Sequence, residues 1–257
     1  MKKIEALPVA LLAALALALP AAAGEFGASV GMDYSSGDYG TNETSETWYV
    51  PVVGKYEDGR LGLKLTVPYL RITNPSVGPD GEPLPCGNAT VPSRKTESGL
   101  GDVVGAASYA LLDGTGGGAM LLDVVGKVKL PTADEDECLG TGKTDYAIQL
   151  DAAKALGGVT AFGTLGWKKF GDPSGASFRN PIYGSVGLAA KLAPATTIGA
   201  AYDWRQKVTS RGDEISEMAL FVSQTLDPSW KLQFYAVKGF SHASPDWGSG
   251  LIFSRRY

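Results

Sequence analysis

The chain has 257 residues, 44% of them hydrophobic and 19% charged, and a formal net charge of −4 at pH 7. That mild acidity, with no basic tract able to neutralise several phosphates, argues against nucleic acid as a partner. The length suits one all-β barrel or two small domains, and no linker-like change of composition divides it.

The first element is a leader. Lys2 and Lys3 form a basic start, Leu11 to Leu19 an apolar stretch, and Ala21-Ala22-Ala23 a small-residue cleavage site. A permanent anchor is the weaker reading, because the apolar stretch is short for a span of ~20 residues. Residues 1–23 are therefore expected to be a signal peptide and 24–257 the exported domain. No later apolar run is long enough for a membrane helix.

From residue 25 onward, apolar and polar residues alternate with period two. Phe26, Ala28, Val30, Met32 and Tyr34 alternate with small or polar partners, as do Leu61, Leu63, Leu65, Val67 and Tyr69. The same pattern returns at Tyr146, Ile148 and Leu150, and at Trp230, Leu232 and Phe234. It predicts twelve strands, at 25–35, 46–57, 60–73, 99–112, 118–130, 144–155, 158–170, 179–192, 196–208, 214–226, 229–241 and 248–257. An even number of such strands, oily on one face and wet on the other, predicts an all-β fold: a transmembrane antiparallel β-barrel of the bacterial outer membrane, bathed in lipid.

The connections test this expectation, because such barrels alternate short periplasmic turns with longer outer loops. Residues 57–59, 113–117, 156–157, 193–195 and 227–228 are short connections; 36–45, 74–98, 131–143, 171–178 and 242–247 are mostly longer. Only 209–213 breaks the rhythm. A soluble two-sheet sandwich would also alternate, but it would not need short and long connections in turn. Aromatic residues near strand ends, among them Tyr34, Trp48, Tyr56, Trp204 and Trp230, fit interfacial girdles.

Several motifs invite other chemistry. Gly140-Thr141-Gly142-Lys143-Thr144 looks like a phosphate loop, but the first glycine of that motif would fall at Glu137, and a strand pattern follows instead of a helix. The acidic run Asp134 to Glu137 lacks the spacing of a calcium loop, so no metal and no cofactor is expected. Cys86 and Cys138 are the only cysteines, which in an exported chain read as a disulfide joining the second and third outer loops. His242, the sole histidine, stands between Ser241 and Ser244 in the last outer loop. These would be the only catalytic candidates of a lipid-acting barrel enzyme, and no nucleophile motif surrounds them. The expectation is a chain that is not an enzyme.

By parity, the wet face carries Asp33, Lys55, Lys64, Asp102, Asp123, Lys127, Lys129, Asp145, Asp151, Lys168, Lys191, Asp203, Arg205, Lys207, Glu217 and Lys231. Mixed signs there suit either salt bridges that fill the bore or a charged path for a solute. Twelve strands lie between side-chain-filled barrels of eight and open channels of sixteen.

Three stretches, Ser98 to Leu111, Lys127 to Leu156 and Gly163 to Pro173, resemble the outer-membrane transporter family of the phenol-degradation meta-pathway. In that family a Gly-x-Gly-Asp opens a strand, a Lys-x-Pro-Thr-Gly ends an outward strand and a Gly-x-Gly-x-Thr-Asp opens the return. Here Ala133 replaces the usual glycine and Trp167 the usual tyrosine. The resemblance implies passage of small hydrophobic or aromatic solutes. A terminal aromatic, here Tyr257, is part of the assembly signal in barrels of this class, which implies the barrel assembly machinery as a partner. The expectations are thus a passive channel for small molecules, or, from other classes, a lipid-acting enzyme or a plugged adhesion barrel.

Overall fold

A computed structural model describes residues 24–75, 77–78, 81–84, 95–114, 120–173 and 175–257. The expected signal peptide, 1–23, and Cys86 lie outside the described residues. The strands are β1 (Glu25–Gly37), β2 (Ser45–Asp58), β3 (Leu61–Thr73), β4 (Thr96–Leu100), β5 (Val103–Asp113), β6 (Met120–Leu130) and β7 (Asp145–Leu156). They continue as β8 (Val159–Lys169), β9 (Ile182–Ala193), β10 (Thr196–Arg205), β11 (Ile215–Thr225), β12 (Trp230–Gly239) and β13 (Trp247–Arg256).

All strand pairings are antiparallel, between sequence neighbours except that β3 pairs with both β4 and β5, and β1 also pairs with β13, so the sheet closes on itself. Both β4 and β5 lie along β3, one beyond the other, interrupted at Gly101 and Asp102. They make one stave. The barrel therefore has twelve staves, one for each expected strand.

Short turns gather at one end and long loops at the other. The irregular connection is longer than its sequence suggested: β10 ends at Arg205 and β11 begins at Ile215. Val208 leaves the sheet to pack with Phe170 and Phe178 of the neighbouring loop, and its carbonyl accepts the Arg179 N–H at 2.7 Å. Lys207, expected on the strand wall, is therefore a loop residue.

The oily face looks outward. Leu65, Ile148, Leu165, Val186, Leu188 and Leu220 are each more than half exposed on successive parts of the wall. In water such a continuous belt would be a severe aggregation hazard, whereas lipid is its matching solvent. Aromatic pairs bound the belt at both ends. Tyr34 lies 4.9 Å from Trp48 and 5.1 Å from Trp247 at the loop end; Phe26–Tyr56 (4.8 Å) and Trp230–Phe253 (4.6 Å) mark the turn end. No helix among the described residues is long and apolar enough to cross a membrane, so only the strands can span it.

Candidate functional site

The inward face encloses a cavity of about 1020 Å³. Of the residues expected on the wet face, Lys55, Lys64, Asp123, Lys127, Lys129, Asp145, Asp151, Lys168, Asp203, Arg205 and Lys231 line it. Asp33 and Glu217 line an adjoining cavity of about 440 Å³ near the loop end. Asp102 sits in the strand break, and Lys191, near the turn end of β9, lines neither space.

At the loop end, short motifs far apart in sequence meet in one ion-pair network. The Lys129 ammonium donates to Asp102 at 2.6 Å and to the Thr141 hydroxyl at 3.3 Å, and lies 3.3 Å from Asp145. Asp145 is in turn 3.4 Å from Lys168. Backbone groups complete the acceptors: Ala133 N–H donates to Asp102 at 3.0 Å and Gly171 N–H to Asp145 at 3.0 Å. Thr132 donates to the Gly101 carbonyl at 3.0 Å and accepts from Val103 N–H at 2.9 Å, which pins the break between β4 and β5. Buried charges persist only when they are paired, and here each one is; the second Asp145 oxygen, Oδ2, relies on its two ammonium neighbours and has no further hydrogen bond among the described residues. The glycines and threonine of the apparent phosphate loop thus serve a bend that delivers Thr141 and Asp145 to this network.

Two loops fold inward over the same end. On β3 the inward positions Leu70 and Ile72 are apolar and fully buried, covered by Leu84, Ala133 and Leu139. The described turn at Gly81 in the β3–β4 loop then reaches across the mouth. Arg205 donates to the Gly81 carbonyl at 2.9 Å, from a stave six places round a ring of twelve. Gly81 has a φ of +67°, and a Cβ there would lie 2.7 Å from Ile215 and 3.2 Å from the guanidinium. The left-handed backbone there favours glycine. The sequence carried a signal for this crossing: Leu70 and Ile72 continue the apolar pattern onto the face that should be wet.

Aromatic residues also stand on the inner wall, where alternation places Tyr235 without showing its partner. Tyr183 lies over Gly166 and donates to Gln149 at 2.7 Å; Tyr235 lies over Gly250 and donates to Asp33. A side chain at either glycine would push the ring into the bore. The signal is an aromatic residue at a wet-face position opposite a glycine on the next strand.

The remaining candidates serve the loops. His242 Nδ1 is 2.9 Å from Asp213 on the neighbouring loop, and this contact raises the imidazole above its ordinary range although both groups are exposed. The described bonds of Ser244 run to the Ser216 backbone, to Ser241 and to the Glu217 carboxylate, without reaching the imidazole. Asp134 accepts the Asp136 and Glu137 N–H groups, capping a turn. No group of three or more metal-binding side chains occurs among the described residues.

No family model and no curated protein sequence matches this chain. Its fold is similar to that of an outer membrane channel from Pseudomonas putida F1, with a TM-score of 0.65 at 15% identity, over 93% of this chain and 97% of that one. It is also similar to the KdgM porin, with a TM-score of 0.53 at 10% identity, over 88% of this chain and 98% of that one. The same porin in complex with disordered oligogalacturonate gives a TM-score of 0.52 at 10% identity, over 89% and 98%. At such identities the likeness shows the fold: an outer-membrane β-barrel, whose short turns face the periplasm and whose long loops face outside.

Proposed function

We propose that this outer-membrane barrel is a passive channel for small solutes. The observation that carries the reading is the charged cavity of about 1020 Å³ inside a wall whose ion-pair network is confined to one end. A barrel built only for adhesion would have no need of charged groups standing into space. Access is set by the β3–β4 loop where it meets Arg205. A Cys86–Cys138 disulfide would tether that loop to the β6–β7 loop; no free cysteine occurs among the described residues, which supports it. The similarity to a porin solved with an oligogalacturonate supports solute passage in general. The resemblance of the Gly-Asp, Lys-x-Pro-Thr and Gly-x-Gly-x-Thr-Asp motifs supports hydrophobic or aromatic solutes.

Export by residues 1–23 and assembly through the C-terminal strand complete the proposal. In support of the latter, β13 closes the barrel on β1 and the Tyr257 N–H donates to the Phe26 carbonyl at 2.8 Å. The deciding experiment is conductance of the purified protein in a planar bilayer. Discrete conductance steps are expected, and a folded barrel that passes neither current nor solute would end the channel reading.

A further inference from the structure

The two spaces inside the barrel differ in charge. Lysines and acids stand together round the larger cavity, whereas the smaller one, of about 440 Å³ near the loop end, is lined by the carboxylates of Asp33 and Glu217 and by no lysine or arginine among the described residues. Neither carboxylate forms an ion pair among those residues: Asp33 accepts from the Tyr235 hydroxyl, and Glu217 bonds Ser244. Neutral hydroxyl donors orient a carboxylate but leave its charge in place. The base that bears on Glu217 is Arg205 on the next strand, and its guanidinium donates to the Gly81 carbonyl.

Strand register builds an aromatic wall round Asp33. Tyr49 of β2 directly opposes Asp33 on one side; on the other, Gly250 of β13 opposes it, and Tyr235 of β12 opposes Gly250. With no side chain at Gly250, the Tyr235 ring crosses β13 and reaches the carboxylate. Asp33 therefore stands between two tyrosines. A third, Tyr39, comes from the β1–β2 loop with a φ of +49°, a backbone conformation that aromatic residues rarely adopt. Burial pushes the Tyr39 phenol up to about 12, and the Glu217 charge adds to that shift, which puts the phenol near the second carboxylate. All three tyrosines line the same cavity.

Packing alone does not explain this arrangement. A wall built only for stability would set each acid beside a base, as Lys129 and Lys168 do for Asp102 and Asp145 in the loop-end network. Here two half-buried carboxylates face open volume, and a cation from solution lowers the cost of keeping them charged. The lining selects its kind. Calcium takes about 6–8 oxygen ligands, whereas these acids share their cavity with phenol rings and with Val77, Ile215 and Val237. Aromatic rings attract organic ammonium groups, and apolar neighbours accept the attached carbon.

We propose that the smaller cavity is an entry site for small organic cations, the ammonium group held at Asp33 between Tyr49 and Tyr235 and the carbon skeleton lying against Val77, Ile215 and Val237. Val77 belongs to the inward-folded β3–β4 loop, so the bound cation touches the segment that covers the mouth. Tyr49 and Ile215 line both cavities and connect the site to the larger space. The role in transport rests on the channel reading above; the binding does not.

Choline and its uncharged isostere dimethylbutanol, in which carbon replaces the ammonium nitrogen, test the site by calorimetric titration of the purified barrel in detergent at low salt. Planar-bilayer conductance is recorded on the same preparation. Choline should bind saturably and about tenfold or more tighter than the isostere, and equimolar potassium should not displace it. Asp33→Asn, whose amide oxygen still accepts from Tyr235, should weaken choline about tenfold or more, and Tyr49→Leu several-fold. Asp58→Asn, at the turn end and outside both cavities, should leave binding unchanged. A heat-dependent gel shift checks the folding of each variant, and the choline–isostere comparison on the wild-type barrel decides if Asp33→Asn does not fold. Equal binding of choline and isostere, displacement by equimolar potassium, or full binding by folded Asp33→Asn would overturn the cation site. Conductance without choline binding would overturn the site and leave the channel standing; choline binding without conductance would do the reverse.

Discussion

At the loop end of the bore, Lys129 is 6% exposed and lies 2.6 Å from Asp102 and 3.3 Å from Asp145. Towards the turn end, Lys55 and Lys64 oppose each other across β2 and β3, stand into open cavity, and form no ion pair among the described residues. The difference lies in what surrounds each ammonium. Where loops fold inward and exclude water, a charge survives only beside opposite charges; where the bore stays wet, like charges can be tolerated at modest cost because water solvates them. Charge at one end is therefore architecture, and charge at the other is available to a solute.

The largest expected effect breaks the first half of that contrast. Lys129→Met leaves Asp102 and Asp145 buried with their main cation gone, and removing one member of a buried pair costs about 3–5 kcal/mol. Urea unfolding in lipid, followed by tryptophan fluorescence, measures it. A loss near zero would mean that water reaches the network.

Next in size is Arg205→Ala, which frees the Gly81 turn of the β3–β4 loop from the opposite wall. A hydrogen bond from a charged donor is worth about 1.5–3 kcal/mol, so the ratio of open to crossed loop should rise roughly 10- to 150-fold. Single-channel recordings should then spend more time in the higher-conductance state. An unchanged record would move the constriction elsewhere.

Lys64→Gln probes the wet end and should behave oppositely to Lys129→Met. Removing one of two opposed lysines should change stability by less than ~1 kcal/mol, towards greater stability, while shifting ion selectivity towards cations. A loss as large as that at Lys129 would erase the distinction between the two ends.

The smallest effect lies in the outer loops. The Asp213 hydrogen bond and charge raise the His242 imidazole, so protonation and loop pairing support each other. Because the folded value lies above the unfolded one, the contribution is complete below about pH 6.5 and fades as pH rises through the raised value. Both groups are solvent-exposed, so the effect should be slight. Titrating the single imidazole by NMR should give a downward shift in Asp213→Asn.

Much of the architecture was legible because lipid imposes a simple rule on a strand. Met32, Leu65, Ile148 and Leu165 reveal the outer face by period two alone, and glycine- or proline-containing turns mark the strand ends. The motifs at Asp102, Lys129, Thr132 and Asp145 were equally visible as short patterns, but their purpose was not. Each is local in sequence, whereas the network joins four staves. Leu70, Ile72 and Phe170 show a related limit, since inward apolar residues gain their meaning only once the loops that cover them are in place.

Lys207 marks the limit of alternation itself. Its parity was that of an inward wall residue, yet the packing of Val208 with Phe170 and Phe178 ends β10 two residues earlier. Local pattern cannot weigh a strand hydrogen bond against a tertiary contact.

The sequence by itself determined the number of staves and which face meets lipid, because both follow from alternation and turn chemistry within each strand. Only the tertiary structure decided which loops enter the bore and how the charges align. Those depend on pairing register and on contacts between distant segments; sliding one strand by two residues would keep every side chain on its face and still separate Lys129 from Asp145.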